Sequence, residues 1–400
     1  MQKSPLQKER YRLALLVSNP IPYHVALYRA LAVHSAIDLT VLYCSRLGIS
    51  GQIDPEFDIP ATWHPSLLNG YSHRFLHNVS PLSVPGRFFS LINPGIVSTL
   101  WGGGYDAVII PGYACFSYLL GVLAAWVTKT PVLFRAETML KRESPWSVKT
   151  WGKRLLVRAI LRGTSACLAI GTPSMAFYRA FGVPAGRIFW SPYGVDNEFF
   201  HRESERWKAC RAELKRSIGI APETPVVLFC GKLVPRKRPA DLLAAFCKLN
   251  RPAALVFVGE GRQRAELERL ASGRPDILFP GFIGQQEIVR YYALADLFVL
   301  PSERETVALV VAEAMACGLP ILLSDAVPSA ADFVRPGENG FVFPVGNIGA
   351  LSSYLERLLW DETLLCRMGQ RSLSVIKDWS PQAAVAGILQ ALNRSAEGIR

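Results

Sequence analysis

Apolar residues along this chain come in short runs that alternate with longer stretches of helical spacing. In the first half, the runs at 13–18, 39–43, 107–110, 132–135, 167–170 and 188–191 are predicted strands. The stretches at 24–33, 116–127, 148–161 and 174–181 are predicted helices. In the second half, strands are predicted at 226–230, 255–258, 277–279, 297–300 and 321–324, and helices at 241–249, 263–270, 285–294 and 307–317. Continuous apolar runs, as opposed to alternating ones, mark strands buried on both faces. Strands alternating with helices imply parallel, doubly wound sheets, and 400 residues suit two such domains better than one core.

The expected organisation is an α/β chain of two Rossmann-like domains, residues 1–197 and 225–380. A charged, helix-prone connection at 198–224 joins them, and a helix from 381 crosses back to the first domain. Ligands of such sheets bind at the carboxyl ends of the strands, so two facing domains imply a central cleft. Composition supports a packed fold, with 50% apolar and 19% charged residues. The net charge of +12 is uneven: residues 1–200 carry 19 Lys and Arg against 10 Asp and Glu. A basic first half suits an anionic partner.

The eight cysteines form no C-x-x-C pair and no Cys/His cluster, so they read as buried thiols of a reducing cytosol. The first twelve residues contain no apolar core of a secretory signal. The apolar stretch 107–127 is long enough to span a bilayer, but Pro111-Gly112 splits it, which points to buried α/β core.

Three segments of the second half carry candidate chemistry. Gly231 follows the strand at 226–230, and Lys232, Arg236, Lys237 and Arg238 follow it closely. Glycine permits a tight turn where an anion approaches, and the cations either neutralise a diphosphate or form a solvated basic turn. Val258-Gly259-Glu260-Gly261 opens a second strand-to-helix turn of the kind that aims amides at phosphate. In the third, Glu305 stands before a helix ended by Gly318 and Pro320, and Leu309 and Val310 fall in its first turn, where free N–H groups favour phosphate oxygens. Glu313 stands among Val, Ala and Met. Buried, it needs a partner such as a ribose hydroxyl. Otherwise Glu305 merely complements the helix dipole and Glu313 is exposed.

Taken in order, GKLVPRKRPADLLAAF, LVFVGEGRQRAELE, FPGFIGQQEIVRYYALADLFVLPSERETVALVVAEAMACGLPIL and NGFVFPVGN cover about residues 225–350. This order resembles the donor domain of glycosyltransferase family 4, the group 1 transferases of the GT-B fold. Ser191-Pro-Tyr-Gly-Val-Asp196 resembles the family's inter-domain segment. The resemblance implies that Lys232 and Lys237, beside Gly231 and Gly259, bind the diphosphate of a nucleotide-sugar donor. It also implies that Glu305, Thr306, Val307, Ala308 and Leu309 approach the sugar and phosphates, that Glu313 holds the ribose, and that Phe282 and Ile283 lie against the base. The implied reaction is metal-independent transfer with retention and no cofactor, the donor being a UDP-sugar.

Two departures bear on the site. The family usually has glycine where Ala308 stands. Its first strand often opens into a glycine-rich loop, where this chain has Ser18-Asn19-Pro-Ile-Pro-Tyr-His24, which makes Asn19 and His24 acceptor-side candidates. A loop that usually bears histidine reads Phe134-Arg135-Ala-Glu137-Thr138, making Glu137 a candidate in its place. The acceptor implied is a glycan, glycolipid or lipid-linked sugar of bacterial polysaccharide assembly.

Residues 141–162 carry seven Lys and Arg, one Glu and two Trp, a mixture suited to an anionic membrane surface and hence to a cytoplasmic enzyme peripheral on the inner face. A solvated basic helix is the plainer reading. Competing functions are a sugar-nucleotide epimerase or hydrolase of the same fold, and a non-catalytic basic scaffold. No nucleic-acid-binding motif is present.

Overall fold

The computed structural model describes residues 8–49, 53–54, 59–60, 65–82, 86–137 and 148–397. The described residues form two compact units, the first built mainly from those up to 193 and from 381–397, the second from 194–380.

The first unit holds a seven-stranded sheet of β1 (Tyr11–Val17), β2 (Ile37–Tyr43), β3 (Ser72–Phe75), β4 (Ala107–Ile110), β5 (Val132–Phe134), β6 (Ala166–Ala169) and β7 (Ile188–Trp190). Its order is β3-β2-β1-β4-β5-β6-β7, and every described pairing is parallel. Helices α1 (Pro22–Val33), α2 (Gly95–Gly103), α3 (Phe116–Val127), α4 (Val148–Arg162) and α5 (Thr172–Ala180) connect the strands. Strands β4 and β6 are buried at every position, as continuous apolar runs require. Strand β3 was not expected, because it alternates exposed and half-buried residues and contains His73 and Arg74. It is an edge strand, where polar side chains are tolerated.

In the second unit, α6 (Asn197–Lys208) and α7 (Arg211–Ser217) precede β8 (Val226–Cys230), α8 (Pro239–Phe246), β9 (Ala254–Val258), α9 (Arg264–Ala271) and β10 (Ile277–Gly281). Then come α10 (Val289–Leu294), β11 (Leu297–Leu300), α11 (Leu309–Ala316), β12 (Ile321–Ser324), α12 (Ala330–Phe333), β13 (Gly340–Phe343), α13 (Ile348–Leu358) and α14 (Glu362–Ile376). The sheet order is β10-β9-β8-β11-β12-β13, again parallel. Residues 198–224, read from sequence as a connection, form α6 and α7 packed on α10 and α11. Arg211 pairs with Asp296 at 2.6 Å, and the buried Lys215 donates to the Pro222 and Thr224 carbonyls.

The last helix, α15 (Pro381–Glu397), packs on α1, β6 and β7 of the first unit. Tyr11 donates to Asn393 at 2.9 Å. A Cβ on Gly387 would lie 1.7 Å from the Trp190 carbonyl oxygen, so only glycine lets α15 sit this close.

The apolar stretch 107–127 is β4 plus α3, and among the described residues no helix is long and apolar enough to cross a membrane. Five cysteines are buried, but Cys247 and Cys366 are exposed, which corrects the expectation that the thiols are interior.

Candidate functional site

In a doubly wound sheet, the order reverses where two neighbouring strands send their following helices to opposite faces, leaving a crevice at their carboxyl ends. In the second unit those strands are β8 and β11, paired at Val227–Leu297 and Leu228–Phe298. Each is followed by one of the segments singled out above.

The turns after β8, β9 and β10 are laced together by backbone. Gly231 N–H donates to Val258 O, Leu233 N–H to Glu260 O and Gly259 N–H to Gly281 O, all at 2.8–2.9 Å. This contact excludes side chains: a Cβ on Gly259, whose φ is +138°, would stand 2.0 Å from the Gly231 oxygen. Gly231 also has a left-handed φ of +148°, and a Cβ there would meet the Lys237 ammonium at 3.9 Å.

Lys237 and Glu305 are brought together as a buried ion pair at 2.5 Å. Burial pushes the Lys237 pKa below the usual lysine value. Glu305 opposes that shift, while Arg236 and Lys232 add to it. The two loops are tied by Glu303 N–H donating to Arg236 O at 2.9 Å. Three cations of the basic turn therefore differ in their surroundings. Arg238 is held by Asp241 at 2.6 Å and Glu303 at 3.5 Å, Lys237 faces Glu305, and Lys232 is half-buried beside Gly231.

Helix α11 begins at Leu309, two residues later than its sequence pattern suggests, because Ala308 caps it in the left-handed conformation at φ +54°, ψ +55°. That geometry explains why glycine is the expected residue there. Alanine in this region costs about 1 kcal/mol relative to glycine. No side chain caps the helix, so the Leu309 and Val310 amides have no partner one turn back within it. Thr306 is exposed and Val307 half-buried on the approach.

Glu313, 7% exposed, lies in α11 and accepts a hydrogen bond from the Tyr292 hydroxyl at 2.7 Å. Burial pushes its pKa up to about 7, with the Tyr292 bond opposing. Sequence reasoning missed Tyr292. Its place in an apolar helical run hid it, although a buried tyrosine needs a partner for its hydroxyl. Phe282, 47% exposed, and the half-buried Ile283 follow β10, the edge strand two removed from β8.

In the first unit the reversal falls between β1 and β4, paired at Leu13–Ala107 through Leu15–Ile109. A cavity of about 430 Å³ opens there, lined by the ends of β1, β4 and β5 together with His24, Tyr28, Tyr118 and Tyr193. His24 stacks on Tyr193 with ring centroids 5.5 Å apart, and the Arg135 guanidinium lies 4.2 Å from the same ring. Arg135 is itself buried and donates to the Ser191 hydroxyl and the Ser191 and Pro192 carbonyls.

Burial, with Arg135 adding to it, pushes the His24 pKa down to about 3, so the ring is neutral. Its Nδ1 is buried without a hydrogen-bond partner. Glu137 lines the same cavity and interacts with Tyr193. Asn19 does not line it: its amide accepts from the Ser18 hydroxyl and donates to the Pro20 carbonyl. Arg135, Tyr28, Tyr118 and Tyr193 were not anticipated, since nothing in their spacing marks them. Among the described residues, no group of three or more acidic, His or Cys side chains is placed to hold a metal ion.

Residues 211–374 match the family described as glycosyl transferases group 1. Among curated relatives, the chain is 32% identical over 197 residues to sulfoquinovosyl transferase SQD2 of Arabidopsis thaliana, covering 49% of this chain and 38% of that protein. It is 30% identical over 237 residues to a GDP-mannose-dependent alpha-(1-6)-phosphatidylinositol monomannoside mannosyltransferase of Mycobacterium tuberculosis, covering 55% and 60%. The match thus spans less than two thirds of either relative. Among solved structures, Anabaena HepE in complex with UDP and glucose superposes with a TM-score of 0.70 over 95% of this chain and 99% of that one, at 18% identity. The fold is GT-B.

Proposed function

We propose, for a chain whose second unit is a group 1 glycosyltransferase domain, transfer of a sugar from a nucleoside-diphosphate donor to a hydroxyl-bearing acceptor with retention at the anomeric carbon. The observation that carries the reading is the buried Lys237–Glu305 pair at the β8/β11 reversal, beside the uncapped start of α11 and the buried Glu313. Lys237, Lys232 and the amides of Leu309 and Val310 supply positive charge for the diphosphate. Glu313 accepts from the ribose hydroxyls, and Phe282 and Ile283 flank the base.

In the reaction the bond from the anomeric carbon to the diphosphate breaks, and the acceptor oxygen bonds to the same face. The acceptor's proton passes to a leaving phosphate oxygen. The protein orients both groups and stabilises charge on the leaving group. Glu305 positions the sugar, and Glu137 lines the first-unit cavity that would take the acceptor. His24, held neutral, offers Nδ1 as an acceptor for a hydroxyl.

The donor base is proposed to be uracil. HepE was solved with UDP, whereas the mycobacterial relative is named for GDP-mannose, so the nucleotide is the first thing to measure. The acceptor is a glycan, glycolipid or lipid-linked sugar of bacterial glycoconjugate synthesis, and the fixed cations make a divalent metal unnecessary.

A thermal-shift screen against UDP, GDP, ADP and their sugar conjugates tests the site, since a ligand that binds only the native state raises the melting temperature. One nucleotide is expected to shift the wild type and not Lys237→Ala. An equal shift in that variant removes the assignment. Inversion in the isolated product, or loss of turnover with a chelator, overturns the stereochemical or the metal reading separately.

A further inference from the structure

The outer face of α4 carries side chains that sugar transfer does not use. Residues 151, 155, 158 and 162 recur at steps of four, three and four, which places them on one helical stripe. Trp151 and Leu155 are 64% and 50% exposed, and Arg158 and Arg162 are exposed as well. Val157, Ile160 and Leu161, from the other side of the helix, enter the core.

At the end of α4 two further arginines, distant in sequence, join the stripe. Arg158 and Arg162 meet Arg179 of α5 and Arg187 before β7 around a concavity of about 370 Å³. Among the described residues that line it there is no carboxylate. Arg187 donates to the Arg162, Thr164 and Leu161 carbonyls, and its Nε is buried without a partner. Four guanidinium groups gathered without a counter-charge repel one another, and an anion relieves that repulsion. Next to the cup, the Trp126 indole donates to the Gly163 carbonyl at 3.0 Å, so the exposed end of α3 adjoins the end of α4.

The mixture decides the partner. A soluble phosphate or a nucleic acid would satisfy the arginines but leave Leu155 and the Trp rings in water, whereas an anionic bilayer meets both at its interface. We propose that the outer face of α4, with the adjoining ends of α3 and α5, docks this chain on a bilayer that carries anionic lipid. The arginine cup takes a lipid phosphate, while Trp151, Leu155 and Trp126 enter the headgroup layer. The proposal rests on the first unit alone and does not depend on the donor chemistry.

The test is sedimentation of the full chain, without nucleotide, with phosphatidylcholine vesicles and with vesicles containing 30% (about a third) phosphatidylglycerol. Binding is expected only to the anionic vesicles, and it weakens as salt rises. Each basic group near such a surface contributes roughly fivefold, so Arg158→Glu/Arg162→Glu lowers the partition coefficient by at least about tenfold. Trp151→Ala/Leu155→Ala lowers it several-fold. All four positions are exposed, so both variants should melt with the wild type.

Absence of binding even at low salt, equal binding to neutral vesicles, or arginine variants that bind normally would each overturn the proposal. Loss in the arginine variant with full retention in the Trp151/Leu155 variant would overturn it too, because it would identify a site for a soluble anion. Because donor-induced thermal shift is read without vesicles, failure of the transfer reading would show separately.

Discussion

The raised pKa of Glu313 makes the stability of the second unit depend on pH in a direction opposite to most carboxylates. Burial lifts the group from 4.5 to about 7. Below pH 4.5 the carboxyl is protonated in both folded and unfolded chains. Between 4.5 and 7 the folded state holds a proton that the unfolded state has released, so stability falls as pH rises through this window. A tenfold difference in proton affinity between the two states is worth about 1.4 kcal/mol, so the loss across the window is about 3 kcal/mol. For a unit of this size that lowers the melting temperature by roughly 6–12 °C between pH 5 and pH 8.

Glu313→Gln keeps an acceptor for the Tyr292 hydroxyl and removes the charge, and its melting temperature should lack that fall. The two proteins should melt together near pH 5, with the variant higher at pH 8. Melting curves followed by circular dichroism across that range decide the matter. Parallel pH profiles for the two proteins would refute the assignment of the proton to Glu313. Nucleotide affinity should run the other way in the wild type, rising with pH toward 7, because ribose hydroxyls donate to the ionised form.

Other substitutions probe the same site. Lys237→Met leaves Glu305 buried without its partner and should cost about 3 kcal/mol in denaturant unfolding. Lys237→Met/Glu305→Gln should regain most of that while transfer stays absent, and a double variant no more stable than the single one contradicts the pairing. Ala308→Gly relieves the left-handed alanine and should gain about 1 kcal/mol; a lower melting temperature counts against the strain at φ +54°. Gly259→Ala sets a methyl against the Gly231 oxygen and should destabilise by more than about 2 kcal/mol. Normal stability there would mean that the two turns separate easily.

What the sequence made legible follows from which interactions are local. Strands such as β8 and β11 are uniformly apolar because both faces are covered, and a uniform run is readable one residue at a time. The edge strand β3 pairs on one side only and tolerates His73 and Arg74, so its pattern carries no such signal. The late start of α11 was hidden for a different reason. Residues 307–317 are uniformly apolar or helix-compatible with no Gly or Pro before 318, and what stops the helix short is the backbone of Ala308, a residue whose side chain gives no warning of positive φ. Glycine there would have marked the boundary.

The site divides in the same way. Gly231, Gly259, Lys237 and Glu305 were visible because they cluster at strand ends. The partners of Glu313 and His24 were not, because Tyr292 reaches Glu313 from another helix and Tyr193 stacks on His24 from far along the chain. Those partners decide the chemistry of the residues they touch. Tyr292 supplies a donor to a carboxylate that would otherwise be stranded in α11, and so lets Glu313 be buried near neutrality. Arg135, lying against the Tyr193 ring, adds its charge to burial and keeps His24 neutral, leaving a hydrogen-bond acceptor in the first-unit cavity. In each unit, then, the residue that motif reasoning finds is tuned by a neighbour it does not find, Tyr292 for Glu313 and Arg135 for His24. The pH profile of Glu313 should therefore move with Tyr292: Tyr292→Phe should raise the Glu313 transition further, because the bond that opposes burial is gone.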